Sequence, residues 1–143
     1  MKPLLLVVAP YYQEISEMLI SGATTAIYQA GFEAEMLTVP GAFEIPAAIA
    51  MAKKGKRYSG FVALGCVIRG DTTHYDYVCG ESARGLQDLA THEHLAIGYG
   101  ILTCENMEQA ILRADIAQGN KGGEAARAAL RMIEIRQLFG LEQ

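Results

Sequence analysis

Residues 61–76 read FVALGCVIRGDTTHYD. The run from 61 to 68 is continuously apolar, which is typical of a strand covered on both faces in a parallel sheet. Gly70 then permits a tight turn, and the residues from Thr73 to Asp76 fit a Thr-x-x-Asp capping box, which predicts that a helix begins near Thr73. The stretch therefore predicts a buried strand that passes directly into a helix.

Strands and helices alternate along the rest of the chain. Helical spacing of apolar residues ends at Gly31 and again at Gly55, where left-handed or flexible backbone stops a helix. The predicted strands span 4–8, 32–39, 61–68 and 95–102, and the predicted helices span 12–30, 46–54, 73–90, 106–114 and 119–138. This order predicts one α/β domain over residues 1–143, a flavodoxin-like three-layer αβα sandwich whose four-stranded parallel sheet carries helices on both faces.

The composition excludes several classes of partner. Hydrophobic residues make up 51% of the chain and charged residues 20%, which indicates that other subunits cover part of the surface. The net charge of -4 and the lack of a basic run argue against nucleic acid. The apolar run at 4–8 is too short for an export signal, and no stretch is long enough to span a membrane. We expect a cytoplasmic protein without a membrane partner.

The cysteines and histidines do not suggest a metal or redox centre. Cys66, Cys79 and Cys104 are odd in number and lack zinc or redox-motif spacing, so we interpret them as small core or near-core residues in a reducing compartment. His92 and His94 fall in a predicted loop between helix and strand, and no third ligand is evident. The sequence predicts no metal site.

Four loops follow the predicted strands, at 9–12, 39–44, 66–74 and 99–105. In open parallel sheets, ligands bind outside the carboxyl ends of the strands, where these loops meet. The helix that starts near Thr73 turns its first N–H groups and its positive dipole end toward this edge, which suits an anion. Alternatively, Thr73 caps the helix and nothing binds there. His74 fits a proton shuttle because histidines titrate near neutral pH, although a surface or capping role fits as well.

Other loop residues allow both a functional and a structural interpretation. Tyr11 and Phe43 could stack on a planar heterocycle or pack as ordinary aromatic residues. The Glu44 carboxylate could accept hydrogen bonds from a polyhydroxylated ligand or interact with a helix dipole. Arg113 and Lys121 could be solvated charges, but neither has an acid four residues away, and an arginine fork can bind two phosphate oxygens.

Four motifs together resemble the lumazine synthase family: GAFEIP at 41–46, GCVIRGDTTHYDYVC at 65–79, YGILTCENMEQAILRA at 99–114 and GNKGGEAA at 119–126. The resemblance covers nearly the whole chain, with the motifs in family order. It implies condensation of 5-amino-6-(D-ribitylamino)uracil with 3,4-dihydroxy-2-butanone 4-phosphate to give 6,7-dimethyl-8-ribityllumazine, phosphate and water, the penultimate step of riboflavin biosynthesis. It also implies that no cofactor is needed.

The resemblance also assigns roles to particular residues. It implies proton transfer by His74, and phosphate binding by Asp71, Thr72, Arg113 and Lys121. The residues implied to bind the ribitylaminouracil are Tyr11, Ala42, Phe43, Glu44, Cys66, Val67, Ile68 and Tyr99.

The resemblance further implies a homo-oligomer, either a pentamer or a larger shell built from pentamers, with sites between subunits and with Tyr99 and Arg113 reaching across. The sequence leaves the size of the assembly open. Many family members carry an N-terminal segment that adds to a neighbouring sheet, whereas here the first strand begins near residue 4. Conversely, GNKGG carries no long insertion of the kind expected to block assembly of a shell. Three rival hypotheses remain: a binding module that holds a flavin or a lumazine without turnover, a structural shell protein, and a synthase that uses a different amine.

Overall fold

The computed structural model describes residues 1–141, and within them four strands form one parallel sheet in the order β2-β1-β3-β4. The strands are β1 (Leu4–Val8), β2 (Ala34–Thr38), β3 (Gly60–Ile68) and β4 (Ile97–Cys104). The α-helices are α1 (Gln13–Gln29), α2 (Ile45–Lys54), α3 (His74–Glu93), α4 (Met107–Ala114) and α5 (Lys121–Leu138). A short 3-10 turn, Ala42–Glu44, precedes α2. The predicted α/β sandwich with helices on both faces is confirmed, and β2 lies at an edge as its alternating sequence indicated.

A hydrophobic core lies on each face of the sheet, where the strands pack against the helices. Helices α1, α4 and α5 cover one face, where residues such as Leu19, Ala110 and Ala126 share a buried cluster with Leu64 of β3. Helices α2 and α3 cover the other face. Strand β1 is buried along its whole length, as its continuous apolar run predicted.

Small residues let α5 approach the sheet closely. A Cβ atom on Gly98 of β4 would lie 1.9 Å from the Ala125 carbonyl oxygen of α5, and a Cβ on Gly122 would lie 2.1 Å from the Leu19 carbonyl oxygen of α1. These glycines are therefore required by packing, because any larger side chain would push the helix away from the sheet or from α1.

The structure corrects several predicted details around α3. The helix continues past residue 90 to Glu93, whose carboxylate pairs with Lys53 of α2 at 2.8 Å. His92 therefore lies in the last turn of the helix, and the predicted loop was wrong for it. His94, the left-handed C-cap with φ of 60°, lies in the segment between α3 and β4 as predicted. Strand β4 begins at Ile97 and extends to Cys104, because Thr103 and Cys104 continue the pairing with Val67 and Ile68.

A further correction concerns the start of α3. Thr73 has helical dihedrals, φ of -76° and ψ of 0°, and its side chain accepts no hydrogen bond from the described first turn, so the predicted capping box was wrong. A capping residue needs an extended backbone to aim its oxygen at the turn that follows. Thr72 contributes a contact here instead, because its Oγ1 accepts a hydrogen bond from the His74 N–H at 3.3 Å.

No helix among residues 1–141 combines the length and the apolar composition that a membrane-crossing segment would need.

Candidate active site

A cleft of about 680 Å³ opens at the carboxyl ends of β1 and β3, beside the amino end of α3. The loops that follow the strands meet there because parallel strands all end at the same edge of the sheet. Nine of the residues singled out in the sequence line this cleft: Tyr11, Ala42, Phe43, Glu44, Cys66, Val67, Ile68, Thr72 and His74.

Aromatic rings surround the mouth of the cleft. Tyr11 is 75% exposed, Phe43 54% and Tyr77 67%. The rings of Tyr11 and Tyr12 meet edge to face with their centroids 4.9 Å apart, which fixes the orientation of the exposed Tyr11 ring. These flat apolar faces are available to a planar ligand.

The sequence reasoning missed several lining residues on α3. Tyr77 and Val78 line the cleft together with His74, because residues three and four apart share one face of a helix. The helical register of the HYDYV segment, once its start is known, identifies this face. Tyr75 also lines the cleft.

The 3-10 turn Ala42–Glu44 ends with Glu44, whose side chain lines the cleft. Ala42 is buried and anchors the turn, and the Glu44 N–H donates to the Gly41 carbonyl at 3.1 Å. A Cβ on Gly41 would lie 3.2 Å from Glu44 Oε1, so the carboxylate lies over the Gly41 backbone. Glu44 is thereby held where its oxygens can accept hydrogen bonds from a ligand.

The amino end of α3 forms the polar end of the cleft. His74 is the first residue of the helix and is exposed, and Thr72 precedes it. The free N–H groups and the dipole of a helix favour an anion at such a terminus. Gly70 and Thr72 line the cleft, whereas Asp71 between them is exposed and lies outside the lining.

Cys66 lies in the floor of the cleft as a neutral thiol. Burial is the main cause that raises its pKa to about 12, and the neighbouring Cys104 adds to the shift. A thiol must ionise to act as a nucleophile, so Cys66 contributes shape rather than covalent chemistry at neutral pH. Cys104 is also buried, which agrees with the prediction that these cysteines are core residues, while Cys79 is half-buried.

Three of the predicted site residues lie apart from the cleft formed by the described residues. Tyr99 lines a separate groove beside α3, where burial raises the pKa of its phenol. Arg113 Nη1 lies 3.5 Å from Cys104 Sγ and 3.4 Å from Gln109 Oε1. Lys121 Nζ pairs at 3.1 Å with Glu124, three residues along α5. One chain alone therefore does not bring these side chains together with His74.

Within residues 1–141, no three histidine, cysteine, aspartate or glutamate side chains converge as metal ligands would.

Comparison with known proteins identifies the family. The family model of 6,7-dimethyl-8-ribityllumazine synthase matches residues 2–137. The protein of that name from Methylorubrum populi is 54% identical over 143 residues, covering 96% of this chain and 85% of that protein. Its counterpart from Erythrobacter litoralis is 53% identical over 136 residues, covering 95% and 96%. The Rhizobium meliloti protein named 6,7-dimethyl-8-ribityllumazine synthase 1 is 54% identical over 145 residues, covering 98% and 95%. The chain therefore belongs to the 6,7-dimethyl-8-ribityllumazine synthase family, a family of transferases of riboflavin biosynthesis.

Proposed function

We propose that this chain condenses 5-amino-6-(D-ribitylamino)uracil with 3,4-dihydroxy-2-butanone 4-phosphate to form 6,7-dimethyl-8-ribityllumazine. An amine of the first substrate attacks the ketone and releases water, phosphate then leaves, and a second condensation with loss of water closes the ring. The observation that carries the proposal is the single cleft in which His74 and Thr72 share a wall with Tyr11, Phe43 and Glu44.

The apolar half of the cleft suits the ribitylaminouracil. Tyr11 and Phe43 offer exposed rings against which a pyrimidine can stack. Glu44 can accept hydrogen bonds from ribityl hydroxyls, and Ala42 shapes the turn that holds it. Backbone groups at the end of β3, at Val67 and Ile68, can meet the polar edge of the pyrimidine.

The polar half of the cleft suits the phosphate ester. Backbone N–H groups near Asp71 and Thr72 and the amino end of α3 can bind the phosphate, and Arg113 of a neighbouring subunit completes the grip. Lys121 acts as a supporting positive charge. These groups stabilise the charge that develops on the leaving phosphate, and such electrostatic stabilisation is a large term in enzyme catalysis.

His74 transfers protons between the reacting groups. The two condensations and the elimination each move a proton, and an imidazole at the helix start can accept a proton and return it. Much of the remaining acceleration comes from positioning, because holding both reactants in one cleft removes the entropic barrier to their encounter. We propose that no metal or organic cofactor takes part.

The position of Tyr99 and Arg113 outside their own cleft supports a homo-oligomer, pentameric or larger, with sites between subunits. Exposed apolar side chains also support cover by neighbours: Met36 is 54% exposed and Met51 71%. We place the reaction in the cytoplasm, where the three free thiols stay reduced.

The test mixes purified protein with both substrates and follows the absorbance and fluorescence of the lumazine product, with phosphate release measured in parallel. We expect product and phosphate only when both substrates are present. A chain that binds a flavin or a lumazine tightly but forms no product from the two substrates would contradict the proposal. Reaction of the butanone phosphate with a different amine, and not with the ribitylaminouracil, would also contradict it.

A further inference from the structure

Arg69 joins three elements at the edge of the sheet where the cleft opens. It directly follows β3, and its N–H donates to the Cys104 carbonyl of β4 at 2.9 Å. Its side chain reaches Glu105, just beyond β4, with Nε at 3.1 Å from Oε1 and 3.2 Å from Oε2. The backbone and the side chain of Arg69 therefore both bind to the end of the neighbouring strand.

The same guanidinium also contacts the first turn of α3. Nη1 of Arg69 lies 3.5 Å from Asp76 Oδ1. Its Cζ lies 4.3 Å from the centroid of the Tyr75 ring, within the range of a cation–π interaction. Tyr75 and Asp76 directly follow His74, so Arg69 contacts the two residues next to the proposed proton-transfer residue.

The start of α3 lacks the usual side-chain cap, so other contacts can contribute to its position. Thr73 does not cap the described first turn, and Thr72 supplies only one hydrogen bond, to the His74 N–H. An exposed ion pair by itself adds little to the stability of a fold, so the fold does not depend on Arg69. Its planar group can nevertheless fix an orientation, since it contacts a carboxylate on one element and an aromatic ring on another.

We propose that Arg69 is a positioning residue: by binding Glu105 and stacking on Tyr75, it holds the amino end of α3, and with it His74, at the working distance from the substrates. The role rests on the proposed function of the cleft. Arg69 itself does not line the cleft formed by the described residues and acts only through the helix start.

The experiment compares Arg69→Met, Arg69→Lys and Glu105→Gln in the two-substrate assay, with Arg131→Met as a matched control. Arg131 also pairs with a carboxylate, that of Glu134 at 3.2 Å, but on the surface of α5. For Arg69→Met we expect kcat to fall about 10-fold, because small displacements of a catalytic group are costly, while KM for the pyrimidine changes less than about 2-fold. Lysine should restore only part of the loss, because it keeps the positive charge but lacks the planar group that stacks on Tyr75. Arg131→Met should behave as the parent.

Two further measurements separate positioning from general stability. If Arg69 acts through Glu105, the double variant Arg69→Met/Glu105→Gln should be no slower than Arg69→Met alone. Hydrogen exchange at the amides of residues 72–77 should be faster in Arg69→Met than in the parent.

Unchanged exchange, unchanged kcat, or additive losses in the double variant would each overturn the role of Arg69. An inactive parent would instead overturn the proposed function, so the two failures are distinguishable.

Discussion

His74 and Arg113 lie at the same edge of the sheet but on helices that pack against its opposite faces. His74 begins α3, which covers one face with α2, whereas Arg113 lies on α4, which covers the other face with α1 and α5. Nη1 of Arg113 lies 3.5 Å from the sulfur of Cys104, the last residue of β4. In the proposed site these two residues therefore come from different subunits.

Replacing His74 tests its role in proton transfer. We expect His74→Asn to lower kcat by about 10-fold to 10³-fold without abolishing turnover, because general acid–base catalysis is only one part of the acceleration. The asparagine retains a polar side chain at the helix start, so folding should be unaffected. Steady-state kinetics of lumazine formation give the answer, and parent-like activity would remove His74 from the mechanism.

Replacing Arg113 tests the assignment of the phosphate end. We expect Arg113→Ala to weaken binding of the butanone phosphate about 10-fold to 100-fold, the usual range for a lost charge-assisted hydrogen bond. Binding of the ribitylaminouracil should change far less. Calorimetric titration with each substrate makes the comparison, and equal losses for both substrates would show that Arg113 does not recognise the phosphate.

Much of this architecture could be predicted because it depends on local sequence patterns. Strand β1 matches its apolar run residue for residue, and nine of the predicted site residues line one cleft because all parallel strands end at one edge. The end of α3 was predicted too early because its last turn is held by Lys53, 40 residues away along the chain. The capping box at Thr73 failed because the sequence does not determine whether that residue adopts an extended backbone.

The ion pair of Glu35 with Arg57 should make stability depend on pH. Hydrogen bonds from Arg57, at 3.0 Å between Nε and Oε1, and from the Tyr58 hydroxyl, at 2.9 Å, lower the pKa of the Glu35 carboxyl below 4.5. Its stabilising contribution is therefore complete above the unfolded-state pKa and is lost as pH falls through the lower folded-state pKa.

Urea unfolding of the parent and of Glu35→Gln should reveal this dependence. We expect the parent to be the more stable at pH 7 and its advantage to shrink steadily as the pH falls below about 4.5. An advantage that stays constant across this range would show that the Glu35 carboxyl has no depressed pKa in the folded protein.

Gly98 and Gly80 form a matched pair for the packing of α5. Gly98→Ala places a methyl group 1.9 Å from the Ala125 carbonyl oxygen, so we expect a loss of about 1–3 kcal/mol in the free energy of unfolding. Gly80→Ala on the exposed side of α3 meets no described atom within 4 Å and should stabilise the helix by about 0.4–1 kcal/mol. Thermal unfolding measures both, and equal effects would contradict the close approach of α5 to β4.

The proposed shared site is tested most directly by mixing two impaired variants. His74→Asn and Arg113→Ala chains are unfolded together, reassembled, and assayed for lumazine formation. In a randomly mixed oligomer about one quarter of the sites should combine an intact histidine from one chain with an intact arginine from its neighbour, so activity should rise toward a quarter of that of the parent. Activity no greater than the average of the two separately reassembled variants would contradict a site built between subunits.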